Sequence, residues 1–374
     1  MSALDFLELE LAALAHAARL RTTPEPGANA GAIVLCSNDY LGLGKLPLPG
    51  GPRGGSGASA LVCGYGPEHA AAEQALARWL AVEAVLMFSS GYAANVGVVP
   101  ALVGRGDAIY SDALNHASLI DGARLSGADI HVFPHLDVEG LAGRLEATRD
   151  RYRRRLVLTE SYFSMDGDCA DLARLRSLCE ENQAMLMVDE AHALGVYGPA
   201  GRGLCAAAGV VPDVLVGTLG KSLGLQGAFV GGSATLRTWL WNRARSFVFS
   251  TAASPAVAGA VPVRVALVAG AEAPRAWLEE ASERVRAVLR EAGAPMPPGS
   301  TGPIVPWVLG SERRALAASD DLLEAGFLVK AIRPPTVPEA GSRLRLTLDA
   351  GLGPEALEEL LRVLGAVAAR HRFT

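Results

Sequence analysis

The 374-residue sequence predicts an α/β protein with a large, mostly parallel sheet and a smaller C-terminal α+β domain. The main observation is a series of short apolar runs separated by helical patterns, which is typical of parallel strands covered by helices on both faces. The runs are AVLMF (84–88), DAIYS (107–111), DIHVF (129–133), RRLVLTE (154–160), AMLMVDE (184–190), VLVGTL (214–219) and GAFVGG (227–232). The second observation is the chain length, which exceeds what one hydrophobic core usually fills.

The last third of the chain follows a different pattern. A long helical pattern at 256–293 precedes the apolar run IVPWVLG, a further helix, the run FLVKAI, the strand RLRLTL (343–348) and a closing helix. The opening stretch MSALDFLELELAALAHAARL is acidic and amphipathic, which indicates a helix and not a signal peptide. We therefore expect an N-terminal helix and arm over 1–45, a large domain over 46–255 and a small domain over 256–374.

Composition restricts the partners and the compartment. A net charge of −5 gives no reason to expect binding to nucleic acid or to an anionic membrane. The most apolar long stretch, around 255–270, is interrupted by Pro262 and Arg264, so no membrane span is expected. The five cysteines contain no CxxC pair, which is typical of reduced thiols. The composition thus predicts a cytoplasmic protein.

Polar side chains follow five of the apolar runs, at the point where each run ends. They are Ser90, Gly91 and Tyr92 after AVLMF, His116 after DAIYS, Ser164 after RRLVLTE, Asp189 and His192 after AMLMV, and Thr218 and Lys221 after VLVG. Ligands of open parallel sheets bind at the carboxyl ends of the strands, so these side chains are expected to form one site.

Three of these features match the chemical handles of one cofactor. A Ser-Gly turn opening a helix presents N–H groups to a phosphate. The carboxylate of Asp189, at the end of a buried strand, needs a cation such as a protonated pyridine nitrogen. Lys221 is one of only three lysines among 34 Lys and Arg residues, and lysine can form an imine with an aldehyde whereas arginine cannot. Phosphate, pyridinium and aldehyde together indicate pyridoxal 5′-phosphate (PLP), with His116 over its ring and His192 at its ring oxygen.

Each element alone has a simpler interpretation. A Ser-Gly turn is often just a helix cap, and a single histidine is often structural. His131 and His135 have the spacing of a metal pair, but Pro134 interrupts them and no acidic or thiol ligand accompanies them, so no metal is expected. The Gly-rich stretch 50–59 lacks the GxxxxGK[ST] pattern of a nucleotide-binding loop. The order of the five clusters favours PLP.

Longer motifs carry a family resemblance. They are SNDYLGLG (37–44), SSGYAAN (89–95), NHAS (115–118), ESYFSMDGD (160–168), VDEAHALG (188–195), TLGKSLG (218–224) and FSTAASP (249–255). Along nearly its whole length the sequence resembles the α-oxoamine synthases, a branch of the fold-type-I, aspartate aminotransferase-like PLP transferases. The resemblance implies that fold, a PLP cofactor and a homodimer.

The resemblance also implies roles for the residues at matching positions. Lys221 bonds covalently to PLP and later moves the α-proton, Asp189 pairs with the pyridine nitrogen, His116 stacks on the ring and His192 supports the ring hydroxyl. Further cofactor-binding positions are Ser90, Gly91, Tyr92, Ser164 and Thr218. Substrate-binding positions are Asn38, Arg345 for the amino-acid carboxylate, Arg333 beside it or on the acyl donor, and Arg19 or Arg21 on the acyl chain.

The C-terminal stretch AIRPPTVPEAGSRLRLTL (331–348) is most similar to members that condense L-alanine with a pimeloyl thioester, carried by CoA or a carrier protein, with loss of carbon dioxide. Alternatives are members that use glycine with acetyl-CoA or serine with a fatty acyl-CoA, an aminotransferase, or a non-catalytic subunit. The presence of Lys221 argues against the last. Two stretches depart from the family pattern: the segment after SNDYLGLG is short, and AHALG replaces a more usual AHGxG.

Overall fold

A computed structural model gives the fold of the chain and describes residues 3–23, 25, 27–48 and 54–372. Contacts within these ranges divide the chain into two compact units. The larger unit comprises the described residues of Asn38–Ser164 and Cys169–Ala276. The smaller unit comprises the described residues of Met1–Ser37, Met165–Asp168 and Trp277–Thr374.

The helices and strands follow one another along the chain in the order that their numbers indicate. The strands are β1 (Ile33–Val34), β2 (Ala84–Phe88), β3 (Ala108–Asp112), β4 (Asp129–Phe133), β5 (Arg155–Glu160), β6 (Met185–Asp189), β7 (Val214–Thr218), β8 (Ala228–Gly232), β9 (Ile304–Gly310), β10 (Phe327–Leu328), β11 (Ala331–Ile332) and β12 (Ser342–Thr347). The α-helices are α1 (Phe6–His16), α2 (Pro67–Leu80), α3 (Gly91–Leu102), α4 (Ala117–Ser126), α5 (Val138–Ala147), α6 (Leu172–Glu181), α7 (Gly203–Ala207), α8 (Ala234–Arg243), α9 (Arg245–Val248), α10 (Pro255–Ala269), α11 (Glu272–Glu291), α12 (Glu312–Glu324) and α13 (Pro354–Arg370).

The larger unit contains a seven-stranded sheet with the order β2-β8-β7-β6-β5-β3-β4. Neighbouring strands from β7 to β4 are parallel, whereas β8 runs antiparallel to both of its neighbours, β2 and β7. The prediction of an α/β fold with a mostly parallel sheet is therefore confirmed. The strand ends of β3, β5, β6 and β7 lie side by side at one edge, which is where the sequence predicts the site.

Both faces of this sheet are buried. Leu156 and Leu158 of β5 belong to one apolar cluster with Ile109, whereas Val157 belongs to a second cluster with Tyr110. Successive side chains of a strand point to opposite faces, so this alternation means that helices cover the sheet on both sides. Continuous apolar runs of this kind are what made the parallel strands recognisable in the sequence.

The helix predicted over 256–293 is interrupted, which is a correction to the sequence analysis. It forms α10 and α11, which meet at a bend of 65°. Pro274 lies in the first turn of α11 and has no N–H to donate to the carbonyl of Gly270, so a backbone hydrogen bond of a continuous helix is missing at this point. Within the described part of the chain, no single helix is both long and apolar enough to cross a membrane.

The division between the units also differs from the expected domain boundaries at 45 and 255. Helix α10 packs on α2 and belongs to the larger unit, so that unit extends to Ala276. The smaller unit has an antiparallel sheet, β11-β12-β9, and a parallel pair of β1 and β10. The predicted strand FLVKAI is split between these sheets, as β10 and β11.

Candidate active site

Asp189 is a buried side chain at the predicted edge of the large sheet. It ends β6 and is 7% exposed. One carboxylate oxygen, Oδ2, accepts a hydrogen bond from Asn95 Nδ2 at 2.8 Å, and the other, Oδ1, accepts one from the backbone N–H of Ala191 at 2.9 Å. The same Asn95 amide donates to Ser118 Oγ at 2.9 Å. Helices α3 and α4 therefore fix the direction of this carboxylate.

His116 lies at the N-terminus of α4 and is attached to its neighbours through both main chain and ring. Its backbone N–H donates to Glu160 Oε1 at 2.6 Å, and its Nδ1 accepts from the backbone N–H of Ser118 at 3.2 Å. Because Nδ1 is an acceptor there, the neutral ring carries its proton on Nε2. His116 as a whole is exposed to solvent, but many protein atoms surround its imidazole ring and desolvate it. That desolvation and the positive charge of Lys221 lower the pKa of His116, against the opposing effect of Asp189.

Glu160 is a buried carboxyl group that the sequence analysis did not include in the site. It ends β5, pairs with Asp189 across the parallel ladder and is 3% exposed. Burial and the charge of Asp189 raise the pKa of Glu160 to about 8, while Lys221 and the His116 N–H act in the opposite direction. The positive charge of Lys221 therefore acts on both His116 and Glu160.

Lys221 is carried by a turn in which glycine is required. The backbone N–H of Gly224 donates to the carbonyl of Lys221 at 2.8 Å, and Gly224 has a φ of +62°. A Cβ at Gly224 would meet the backbone nitrogen of Gly44 at 2.3 Å, so only glycine allows this close approach. The SNDYLGLG segment thus packs directly against the lysine turn.

His192 is oriented by the same segment. Its Nδ1 lies 2.6 Å from the hydroxyl oxygen of Tyr40, and both side chains are buried. Asn38, two residues before Tyr40, also belongs to the larger unit. The structure thus brings together Asp189, His116 and Lys221 through their contacts and charges, and it connects His192 to the segment that carries Asn38.

The predicted phosphate positions lie at the start of α3 and the end of β7. Ser90 caps α3 by accepting from the backbone N–H of Ala93 at 3.0 Å, and a Cβ at Gly91 would meet no atom within 4 Å. The hydroxyl of Tyr92 donates to Asp121, so a phosphate contact from Tyr92 would come from its main chain. The hydroxyl of Thr218 donates to the carbonyl of Gly227 at 3.0 Å and thereby supports the turn that leads to Lys221. Ser164 is half-buried in the loop after β5.

The predicted arginines all belong to the smaller unit. Arg345, on β12, is 6% exposed and donates to Thr347 Oγ1 at 2.9 Å. Arg333 donates to the backbone carbonyl of Ala18, and burial together with the charge of Arg21 lowers its pKa. These two arginines lie in the stretch that the sequence analysis singled out for substrate choice.

Arg19 and Arg21 differ in their surroundings. Arg19 forms ion pairs with Glu312 at 2.6 Å and with Glu339. Arg21 donates to the hydroxyl of Thr336 at 3.3 Å. The guanidinium of Arg19 is thus neutralised by two carboxylates, whereas that of Arg21 has a neutral partner in this contact.

The histidine pair that was considered for a metal has other partners. His131 lies 3.0 Å from the hydroxyl of Tyr152, and His135 Nδ1 lies 2.8 Å from Asp112 Oδ1. Among the described residues, no group of three or more His, Cys, Asp or Glu side chains is arranged to hold a metal ion.

Three residues of this site were missed by the sequence analysis: Tyr40, Asn95 and Glu160. Each lies inside one of the quoted motifs, SNDYLGLG, SSGYAAN and ESYFSMDGD. The motifs were therefore a usable signal for these residues. Their roles depend on contacts between distant segments, which the sequence does not display.

The site and the fold together define an aminotransferase-type enzyme. The family model described as aminotransferase class I and II matches residues 30–364, and the chain belongs to this family. A solved serine palmitoyltransferase from S. paucimobilis, with a bound PLP–myriocin aldimine, superposes with a TM-score of 0.90 at 27% identity and covers 99% of both chains. The predicted fold is confirmed by this likeness.

Curated relatives are more specific. An 8-amino-7-oxononanoate synthase from Alkalilimnicola ehrlichii is 48% identical over 346 residues, which is 90% of this chain and 88% of the relative. An 8-amino-7-oxononanoate synthase from Anaeromyxobacter dehalogenans is 47% identical over 385 residues, which is 98% of this chain and 96% of the relative. The family predicted from the sequence motifs is confirmed by these matches.

Proposed function

We propose that this chain is a PLP-dependent 8-amino-7-oxononanoate synthase, which joins L-alanine to a pimeloyl thioester in biotin biosynthesis. The observation that carries the proposal is the cluster at the edge of the large sheet, where Asp189, His116 and Lys221 lie within electrostatic reach of one another. Relatives with this name match nearly the whole chain, which supports the choice of this reaction among those of the family.

The residues of the cluster fit PLP. Asp189 is a buried carboxylate held in a fixed direction by Asn95, which suits a protonated ring nitrogen. At the opening of α3, a glycine with open space at its Cβ position leaves the helix N-terminus accessible to a phosphate group. Lys221 supplies an amine that can bond to the cofactor aldehyde. When bound, PLP supplies an electron sink for a carbanion at the α-carbon of the amino acid.

Each side chain then has a defined task. Asp189 would hold the proton on the pyridine nitrogen of PLP, and His192 would donate to its ring oxygen. His116 would contact the pyridine ring and help to exclude water. Lys221 Nζ accepts the α-proton of L-alanine and later returns a proton to the same carbon of the product.

The atoms of the reaction balance without an external oxidant or reductant. The deprotonated α-carbon of alanine bonds to the acyl carbonyl carbon, and the C–S bond breaks to release the thiol. The carboxylate of alanine leaves as carbon dioxide, and the α-carbon takes up one proton. The products are 8-amino-7-oxononanoate, carbon dioxide and the free thiol of CoA or of a carrier protein.

Recognition of the two substrate carboxylates is assigned to arginines. Arg345 binds the carboxylate of L-alanine, since a buried guanidinium suits bidentate binding of a carboxylate. Arg21, with Arg333, binds the distal carboxylate of the pimeloyl chain, because Arg19 is already neutralised by Glu312 and Glu339. Asn38 and Ser164 complete the set of side chains that contact the substrates or the thioester.

We propose in addition that the protein acts as a cytoplasmic homodimer. The phenyl ring of Phe249 is an exposed apolar surface that a second copy would cover. None of the five cysteines, all of which lie in described ranges, forms a disulfide, in keeping with a reducing compartment.

Replacing Arg345 with alanine is expected to raise the KM for L-alanine by about ten- to hundredfold, because a charged hydrogen-bonding partner is lost. The KM for the thioester is expected to stay within about twofold. Steady-state kinetics with each substrate varied in turn measures both values. Arg362→Ala, which removes an exposed arginine paired with Glu359 on α13, is the control, and equal KM changes in both variants would contradict the assignment.

The experiment that tests the function is thiol release by the purified, PLP-loaded protein. One reaction contains L-alanine and pimeloyl-CoA, and the other contains glycine and acetyl-CoA. Release in the first alone supports the proposal. Release in the second alone would keep the chemistry and overturn the substrates. If PLP is bound but neither reaction releases thiol, the first reaction is repeated with pimeloyl-carrier protein in place of pimeloyl-CoA. If this reaction also releases no thiol, the proposal is overturned.

A further inference from the structure

We propose that Tyr40 is a positioning residue that fixes the orientation of the His192 ring and the nitrogen that carries its proton. The inference rests on the proposed function, in which His192 donates to the ring oxygen of PLP. It assigns a task to a tyrosine that acts through another residue and that contacts neither substrate in the proposed mechanism.

The contact between the Tyr40 and His192 side chains is short and largely shielded from solvent. The Tyr40 hydroxyl oxygen lies 2.6 Å from His192 Nδ1. Tyr40 is 0% exposed and His192 is 7% exposed, and the rings meet edge to face with their centroids 6.2 Å apart. A hydrogen bond in so little solvent is stronger than the same bond at the surface, so it is able to hold the imidazole in one orientation.

Tyr40 is itself held by a braced segment. The backbone N–H of Gly44 donates to Asp39 Oδ2 at 2.8 Å and so ties the residues on either side of Tyr40 together. Further along, the buried guanidinium of Arg264 donates to the backbone carbonyl of Leu46 at 2.7 Å. Gly44 packs against Gly224, in the turn that carries Lys221. One segment therefore sets the position of His192 and supports the lysine turn.

With the Tyr40 hydroxyl as the donor in this contact, the imidazole proton resides on Nε2. A tyrosine hydroxyl has a reference pKa of about 10, so it is protonated near neutral pH and is able to donate to Nδ1. A neutral histidine whose Nδ1 accepts a hydrogen bond carries its proton on Nε2. The Nε2–H of His192 is then able to donate a hydrogen bond to the anionic ring oxygen of PLP, which needs a donor. The opposite tautomer would turn an acceptor lone pair toward that oxygen.

The first test is nitrogen NMR of the full-length protein labelled with ¹⁵N-histidine, with and without PLP. The chain has seven histidines, and His192→Asn identifies the signals of His192. The expected result is a protonated Nε2 and a hydrogen-bonded, unprotonated Nδ1 in both forms. In Tyr40→Phe the two tautomers are expected to mix. A wild-type His192 that carries its proton on Nδ1 would overturn the proposal.

The second test compares PLP affinity in two matched variants. Tyr40→Phe is expected to weaken equilibrium PLP binding by about three- to tenfold, since one hydrogen bond that orders a cofactor ligand is lost. Tyr110→Phe removes the hydroxyl of another tyrosine that is 0% exposed, bonded to Thr148 at the C-terminus of α5, and is expected to leave PLP affinity unchanged. Equal weakening in both variants would mean that only general stability was lost and would reject the role of Tyr40.

The two tests separate this proposal from the proposed function. If the wild-type chain binds no PLP, the proposed function fails, while the His192 tautomer in the PLP-free protein still decides the role of Tyr40. If PLP binds and thiol is released but His192 carries its proton on Nδ1, the function stands and the role of Tyr40 fails. Should Tyr40→Phe not fold, the tautomer of the wild-type protein alone gives the answer.

Discussion

Replacing Lys221 with alanine is expected to reduce thiol release by more than about 10³-fold, because both the covalent attachment and the proton transfer depend on this amine. PLP binding is expected to persist in part, since Asp189, His116 and the N-terminus of α3 are unchanged. Thiol release and PLP retained after gel filtration measure the two effects separately. An active Lys221→Ala protein would contradict the mechanism.

Two further variants show whether turnover depends on the primary amine of Lys221 or on its positive charge. Lys221→Arg keeps the positive charge near Glu160 and His116 but offers a guanidinium, which stays protonated and does not form the bond to an aldehyde. It is expected to be as inactive as the alanine variant. Lys45→Ala removes an exposed lysine from the short turn Leu43–Lys45 and is expected to keep wild-type turnover.

Much of the large sheet could be predicted from the sequence because most of its strands are buried on both faces. Strand β2 coincides with the apolar run AVLMF, and β5 lies within RRLVLTE. The edge strand β4 coincides with DIHVF, although only Phe133 in it is buried. The direction of β8 could not be predicted in this way, since a buried antiparallel strand has the same apolar pattern as a parallel one. The break between α10 and α11 was missed because the apolar spacing continues on both sides of Gly270.

The residues of the candidate site likewise fall into those that the sequence predicts and those that only the structure reveals. Lys221, Asp189 and His116 were predictable because each lies at or shortly after the end of a buried strand, where a buried polar group is costly without a partner. Tyr40 and Asn95 act on His192 and Asp189 from segments far away in the chain, so only the folded structure reveals them. The difference between Arg19 and Arg21 was likewise invisible, since it depends on Glu312 and Glu339 approaching one of them.

Glu160 is a buried carboxyl group whose charge is expected to cost stability. Its pKa is raised from an ordinary value of 4.5 to about 8, mainly by burial and then by the charge of Asp189. In the pH range between these values the folded protein holds a proton that the unfolded chain has released. The free energy of unfolding therefore falls as the pH rises through this range, and the contribution is fully present only below about 4.5.

Glu160→Gln is therefore expected to stabilise the PLP-free protein at pH 8 by a few kcal/mol, at roughly 1.4 kcal/mol per unit of pKa shift. The glutamine carbonyl still accepts the hydrogen bond from the His116 N–H, and no charge remains to be desolvated. The gain is expected to shrink as the pH is lowered toward 5, because near the ordinary pKa of 4.5 the unfolded chain regains the proton that the folded state holds.

Urea denaturation of the wild-type and variant proteins at pH 5, 6.5 and 8 measures this difference. The wild-type protein should lose stability toward pH 8 more steeply than Glu160→Gln does. Glu280→Gln, an exposed substitution of the same kind on α11, is expected to follow the wild-type slope. Parallel slopes for the wild type and Glu160→Gln would mean that Glu160 is ionised in the folded protein throughout this range. Asp189 would then have a second full negative charge beside it, which the positive charge of Lys221 would partly offset.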